Sequence, residues 1–204
     1  PLLVRSIDED PVIDSAGLEL DFLYRAQDRF QGRRLSETAL ENPDSKLPES
    51  VTALCGAVLF IPAWLLPLRP EAPVFSTDYF AYFEDIELGL ELAQRGVPMG
   101  LVKDLRFVHR RGGFGRLRDV DGLDWKERRG VVSGILLNRY RTLFRHEGLW
   151  GGIWKRPRLL PYEAIRWSYL MVRKPYLRSL FPEVVRVWRE ERDRRVRPPV
   201  RRPR

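Results

Sequence analysis

The sequence contains few of the residues that cross-link a chain or ligate a metal. It has one cysteine and two histidines among 204 residues. A single cysteine excludes an internal disulfide, and with it a disulfide-stapled fold or a zinc site built from several cysteines. The sequence also lacks any run of eighteen uncharged apolar residues, which excludes a membrane-spanning helix of the usual length.

Apolar and aromatic residues are abundant enough for a packed core. Hydrophobic residues make up 44% of the chain and aromatic residues 11%, which excludes global disorder. The length fits one ordinary domain with an appendage, or one large domain. Because the chain begins with Pro1 rather than Met, we expect a fragment or a processed product.

The charge is divided unevenly along the chain. Residues 1–100 carry a net charge of −9, whereas residues 101–204 carry +17, most of it from arginine. Arginine forms bidentate contacts with phosphate, so the basic half could face a nucleotide, a nucleic acid or a lipid surface. The alternative is that a GC-rich genome encodes arginine where another would encode lysine.

Periodicity and turn residues predict an α/β chain followed by helices. The predicted strands are Pro1–Ile7, Ile13–Leu20 with an interruption at Gly17, Val51–Ile61, and a pair formed by Val97–Val102 and Arg106–His109; a polar loop covers Gln27–Pro48. The predicted helices are Asp85–Arg95, ended by Gly96, then Trp125–Glu147, Tyr162–Tyr176 and Leu177–Glu191. We therefore expect a part with strands and one helix at 1–123, a basic helical extension at 124–191 and a disordered tail at 192–204.

Two adjacent carboxylates, Glu84 and Asp85, follow a run of aromatic residues at the start of a predicted helix. The helix dipole stabilises negative charge there, while aromatic neighbours lower the local dielectric and can raise a carboxyl pKa. Such a carboxylate could act as a general base. The alternative is a helix-capping aspartate beside an exposed glutamate.

His109 ends a predicted strand and precedes the glycine-rich basic loop Arg110–Gly115. A histidine in this position could ligate a metal or contact a phosphate, and Arg110 and Arg111 could neutralise that phosphate. The loop lacks the lysine and serine or threonine of a P-loop. The alternatives are an ordinary half-buried histidine and a solvated loop.

The order of these pieces resembles the C-terminal half of the family 2 glycosyltransferases, most closely their bacterial rhamnosyltransferase-like branch. The resemblance covers about residues 11–115. The matching pieces, in chain order, are Ile13-Asp-Ser-Ala-Gly17, Cys55-Gly56-Ala57, Phe75 with Tyr79-Phe80-Ala-Tyr82-Phe83-Glu84-Asp85, and Val108-His109.

The resemblance implies a partial GT-A fold, which is a Rossmann-like domain that binds a nucleotide-sugar and a divalent metal, Mn²⁺ or Mg²⁺. Asp85 would be the catalytic base of an inverting sugar transfer, and Glu84 would support the acceptor. His109 would help to hold the metal and the diphosphate. The pocket for acceptor and donor would be lined by Cys55, Gly56, Ala57 and Tyr82.

The sequence departs from the family pattern in three places. The half with the nucleotide-binding strands and the Asp-x-Asp metal motif is expected to be absent. Asp8-Glu-Asp10 is similar to that motif, but it lies immediately before Ile13, whereas the motif of the family lies well upstream. Phe75-Ser76-Thr77 stands where the family has Phe-Asp-Glu, and Glu87-Leu88 stands where it often has Asp-Leu. The last two departures bear on the choice of donor, and the first bears on whether this chain is active alone.

The C-terminal region mixes tryptophan with arginine, as in Trp154-Lys155-Arg156, Arg166-Trp167 and Trp188-Arg189. This combination suits a membrane–water interface. Together with this interface, the resemblance implies peripheral binding at the cytoplasmic face of the cell membrane and a glycan or lipid-linked acceptor. The alternative is that these helices pack on the catalytic part with solvated arginines. No nucleic-acid-binding signature is present. The alternative to an enzyme is a non-catalytic binding module, which would be either a degenerate glycosyltransferase or a basic membrane-surface protein.

Overall fold

The computed structural model describes seven stretches of the chain, and it divides the chain into two compact units. The described stretches are residues 1–41, 49–62, 64–65, 73–79, 82–109, 125–147 and 157–196. The first unit is Pro1–Gly122 and the second is Leu123–Arg204. The sequence prediction put the end of the first part at residue 123.

A three-stranded sheet lies at the centre of the first unit. Strand β1 (Leu2–Val4) pairs antiparallel with β2 (Ile13–Ser15) and parallel with β7 (Arg106–Val108). All three apolar side chains of β1 are buried. Because successive side chains of a strand point to opposite faces of the sheet, both faces are covered at this strand. The strand predicted within Pro1–Ile7 is confirmed at Leu2–Val4.

Two small antiparallel pairs complete the strands described in this unit. Strand β3 (Leu18–Leu20) pairs with β4 (Ala26–Asp28), and β5 (Glu49–Val51) pairs with β6 (Met99–Leu101). Gly17 separates β2 from β3 at φ +90°, and a Cβ there would lie 2.9 Å from Cγ1 of Val51. Only glycine meets both conditions without strain, so the predicted interruption at Gly17 is confirmed.

Three sequence predictions about strands and loops differ from the structure. The predicted strand Val51–Ile61 keeps regular pairing only at its first residue, since β6 offers three partners and Ala53 then turns to bridge Leu18. Strands β6 and β7 do not pair with each other; they pair with β5 and β1, which lie far away in sequence. The predicted loop at 27–48 contains the end of β4 and two short 3₁₀ helices, Leu35–Glu37 and Ala39–Glu41.

Helix α1 (Glu84–Gln94) supplies one side of the core of the first unit. Its buried apolar side chains are Ile86, Leu88, Leu90 and Leu92. Gly89 lets the helix approach the chain at Thr52 and Ala53, because a Cβ there would lie 2.3 Å from the Thr52 carbonyl oxygen. Gly96 follows the helix at φ +72°. The helix predicted at 85–95 and its glycine stop are confirmed.

The described part of the second unit is helical. It contains α2 (Trp125–Arg145), α3 (Leu159–Arg173), a 3₁₀ turn (Pro175–Ser179) and α4 (Leu180–Val196). Helix α4 continues five residues past the predicted end at 191, into the segment expected to be disordered. Its last turn is held by Arg195, which donates to the carbonyl oxygen of Phe144 at 2.6 Å and pairs with Glu147.

Buried ionic contacts fix α3 and α4 to α2. Arg141 and Arg145 of α2 contact the buried carboxylate of Glu191 in α4 at 3.1 and 2.8 Å. Tyr140 of α2 donates to Glu163 of α3, and Trp167 of α3 donates to the Tyr140 hydroxyl at 2.7 Å. Burial, followed by the charge of Glu163, raises the pKa of Tyr140 above its usual range, so this hydroxyl acts as a donor.

The described residues form a mixture of helices and small sheets, in agreement with an α/β class in general. Among them, no helix combines the length and the apolar content that a bilayer span requires.

Candidate active site

The carboxylate pair Glu84–Asp85 forms the first turn of α1, as predicted from the sequence. One carboxylate oxygen of Asp85, Oδ1, accepts a hydrogen bond from the Ile86 N–H at 2.9 Å. The other, Oδ2, accepts one from the Gly56 N–H at 3.3 Å. Two backbone donors, one on the helix and one on the loop after β5, therefore fix the orientation of this carboxylate.

The backbone immediately before α1 adopts an uncommon conformation. Tyr82 and Phe83 have φ values of +66° and +73°, which place two consecutive non-glycine residues in the left-handed region. Bulky residues rarely occupy that region, and each costs of the order of 1–2 kcal/mol there. Phe83 is buried and Tyr82 is exposed. This sharp reversal of the chain places Glu84 and Asp85 at the helix start, where the N–H groups of the first turn have no partner within the helix.

Asp85 is an acid whose pKa is shifted towards neutrality. Burial raises the pKa of Asp85 to about 6; the negative charges of Glu84 and Asp28 add to the rise, and the N–H groups of Gly56 and Ile86 oppose it. A carboxyl with such a pKa is largely ionised at pH 7 and still accepts a proton readily. These are the properties that a general base needs.

Sequence reasoning missed Asp28. It ends β4, where it pairs with Leu18 of β3, and it accepts a hydrogen bond from Gln31 at 3.2 Å. Its charge acts on Asp85, although 57 positions separate the two residues. No local motif marks this residue, since only the pairing of β3 with β4 brings it near the start of α1.

The three residues Cys55, Gly56 and Ala57 lie in the loop after β5. Cys55 and Gly56 are half-buried, whereas Ala57 is exposed. A Cβ on Gly56 would lie 3.4 Å from the Phe75 ring and 3.8 Å from the Asp85 Cβ. Gly56 therefore stands between an aromatic ring and the candidate base, whereas the pocket for donor and acceptor stays a prediction.

His109 follows β7 and forms a second polar centre with Asp14 of β2. The imidazole Nδ1 lies 2.8 Å from Oδ2 of Asp14, whose side chain is almost completely buried. The His109 N–H donates to the Val4 carbonyl at 2.8 Å and so extends the β1–β7 pairing. Arg5 lies 3.9 Å from the other Asp14 oxygen. Because Asp14 occupies Nδ1, the nitrogen left for a ligand is Nε2.

A divalent ion would find one protein ligand here. Nε2 of His109 suits Mn²⁺ better than Mg²⁺, which prefers oxygen ligands, and either ion would be bound mainly through diphosphate oxygens. The carboxylate behind the imidazole is the usual orienting partner of a ligating histidine. Within the described ranges, no three histidine, cysteine, aspartate or glutamate side chains converge on one point. No hydrogen bond or ion pair joins Asp85 directly to His109, so their convergence on one pocket, which a glycosyltransferase requires, stays a prediction.

Several predicted site residues lie outside the described residues. These are Arg110 and Arg111, with the rest of the loop to Gly115, and Phe80 of the aromatic motif.

The acidic triplet Asp8-Glu-Asp10 has a structural role in this unit. Asp10 accepts hydrogen bonds from the Ser36 N–H and Ser36 hydroxyl, both at 2.9 Å. The backbone hydrogen bond from Ser36 lowers the pKa of Asp10, opposed by partial burial and helped by the Ser36 hydroxyl and Arg34. This carboxylate holds the 3₁₀ turn at Leu35–Glu37.

Comparisons with protein-family models, with curated proteins and with solved structures found no match to this chain.

Proposed function

We propose that this chain is the acceptor-side part of a family 2 glycosyltransferase with a GT-A fold. It would transfer a sugar, with inversion, from a nucleotide-sugar to a polysaccharide or lipid-linked acceptor. The observation that carries the proposal is Asp85. It is a carboxylate at a helix start, oriented by the Gly56 and Ile86 N–H groups, with a pKa raised to about 6.

In the proposed reaction, the acceptor hydroxyl lies against Asp85. As its oxygen forms a bond to the anomeric carbon of the donor sugar, its proton passes to the Asp85 carboxylate. The bond from that carbon to the diphosphate breaks on the opposite side, and the electron pair leaves with the nucleoside diphosphate. A raised pKa favours this proton transfer, because Asp85 then gains more by accepting the proton than an ordinary aspartate would.

The leaving group needs positive charge on its own side of the reaction. A divalent ion would supply that charge when bound. On this chain, His109 would hold the ion through Nε2, and Asp14 would hold the imidazole in the tautomer that exposes Nε2. Arg110 and Arg111 stay predicted contributors to the same charge stabilisation.

Calorimetric titration with UDP-, GDP- and dTDP-sugars, with and without Mn²⁺ or Mg²⁺, tests the proposal. We expect metal-dependent binding of one nucleotide class. His109→Ala should weaken this binding at least about tenfold, because it removes one metal ligand. Asp85→Asn should leave donor binding unchanged, because Asp85 faces the acceptor. The resemblance places nucleotide-binding strands upstream, so the titration is repeated on a chain extended in that direction. Absence of binding in both would contradict the proposal.

The second candidate is a non-catalytic module that binds a membrane surface. It is favoured by the basic second unit, whose exposed helix surfaces are rich in arginine. The two candidates differ at Asp85. Sugar transfer that disappears in Asp85→Asn requires the enzyme, whereas the binding module is indifferent to this substitution.

A further inference from the structure

Helix α3 of the second unit presents a row of apolar side chains to solvent. Ile165, Tyr169 and Val172 are 71%, 57% and 75% exposed. They are spaced by four and three positions, so they lie on one face of the helix. A helix on the surface of a globular protein normally packs such a face against the core. This face is therefore accessible to a partner other than the described residues of the second unit.

The opposite face of α3 is already occupied, which fixes how the helix is turned. Leu159 and Glu163 are buried, and Glu163 accepts from Tyr140 and pairs with Arg139 at 2.6 Å. Trp167 donates to Tyr140 at 2.7 Å. These residues recur every four positions on the side away from Ile165. Rotation that would bury the apolar row would break this network, so the row stays outside.

The charges that α3 exposes have one sign. Between Glu147 and Glu183 the sequence contains seven lysines and arginines and a single acid. That acid is Glu163, whose side chain is buried and paired on the inner face. Arg158 and Arg173 are exposed near the two ends of the row. Helix α3 thus exposes arginine but no acid beside its apolar stripe, and this combination complements a surface of acyl chains beneath anionic headgroups.

We propose that the Ile165–Tyr169–Val172 face of α3 is the surface by which this protein docks on an anionic lipid membrane. The three side chains enter the headgroup–acyl boundary while Arg158 and Arg173 contact lipid phosphates. This proposal names the residues of the membrane contact that the second candidate function requires, and it stands whether or not the chain transfers sugar. It also moves the contact away from Trp167, which the sequence suggested, because that indole points inwards to Tyr140.

Vesicle flotation of the full chain tests the proposal without donor or acceptor, so its result is separate from that of the transferase assay. The vesicles are phosphatidylcholine alone or phosphatidylcholine with phosphatidylglycerol. We expect binding to the anionic vesicles and a decrease of at least about tenfold in Ile165→Ser with Val172→Ser, since two apolar side chains no longer enter the lipid. The matched control, Ile7→Ser with Phe22→Ser, removes two exposed apolar residues of the first unit and should bind as the unchanged chain does.

A fluorescent label locates the contact independently. In a Cys55→Ser background, an environment-sensitive dye on Ile165→Cys should shift to the blue with anionic vesicles, whereas one on Arg186→Cys, an exposed site in α4, should not. The proposal is overturned by absence of vesicle binding, by equal losses in the two double variants, or by a shift at both labels. It is also overturned if Ile165→Ser with Val172→Ser turns a dimer into a monomer without lipid, because a second copy would then cover the face.

Discussion

Asp85 occupies a position that disfavours its charge. Burial, Glu84 and Asp28 raise its pKa from 3.8 to about 6. Since the folded state binds this proton more tightly than the unfolded chain, the ionised carboxylate destabilises the fold. The penalty is absent below about pH 4, grows as the pH rises through 6, and reaches at most about 3 kcal/mol above it.

We expect Asp85→Asn to remove this penalty. Asparagine keeps an oxygen that accepts from Gly56 or Ile86 but carries no charge, so the variant should be more stable than the unchanged chain by about 1–3 kcal/mol at pH 7.5 and equal to it near pH 4. Urea titrations across this pH range measure the difference, with the exposed Asp104→Asn as control. If Asp85→Asn and the unchanged chain have equal stabilities at both pH values, the site does not raise the pKa of Asp85. Loss of sugar transfer in the more stable variant would be typical of a catalytic group.

At the scale of the element, helix α1 depends on Gly89 rather than on its apolar residues alone. A Cβ at Gly89 would lie 2.3 Å from the Thr52 carbonyl oxygen and 2.7 Å from the Ala53 Cβ. Backbone cannot move aside as the end of a long side chain can. The close approach matters for the site, because the segment after Ala53 carries the Gly56 N–H that orients Asp85.

Gly89→Ala should therefore lower the free energy of unfolding by about 1–3 kcal/mol, the usual cost of overpacking. Gly130→Ala in α2 is the matched control, because a Cβ there meets nothing within 4 Å. That change should be neutral or stabilise by up to about 1 kcal/mol through helix propensity. Urea unfolding followed by circular dichroism compares the two variants. Similar effects of both substitutions would contradict the close packing of α1 on Thr52 and Ala53.

The sequence predicted elements better than it predicted their partners. Helix α1 could be found because its apolar period and the Gly96 stop are local signals. The prediction that β6 pairs with β7 was wrong, because the sequence of a three-residue strand does not specify its partner. The two strands pair instead with β5 and β1, which are distant in sequence. The same limit hid two of the polar contacts: Asp28 acts on Asp85, and Asp14 binds His109, only after distant strands have paired.

At the scale of the whole molecule, charge and apolar surface have separate effects on membrane binding. The chain carries a net charge of +8, with residues 101–204 alone at +17. Charge attracts the protein to an anionic surface over about one Debye length, which shortens from roughly 10 Å at 0.1 M salt to 3 Å at 1 M. Insertion of Ile165, Tyr169 and Val172 does not depend on salt in this way.

Binding to phosphatidylglycerol-containing vesicles should therefore fall by at least about tenfold between 0.05 and 0.5 M NaCl, because each basic residue near the surface contributes about 1 kcal/mol at low salt. Removal of the charge alone, by Arg158→Gln with Arg173→Gln, should weaken binding at low salt and leave a smaller dependence on salt. Removal of the apolar side chains, by Ile165→Ser with Val172→Ser, should lower binding at every salt concentration and leave the dependence of binding on salt unchanged. If the apolar variant binds normally at low salt and only the arginine variant fails, the contact is electrostatic, and α3 lies above the headgroups rather than among them.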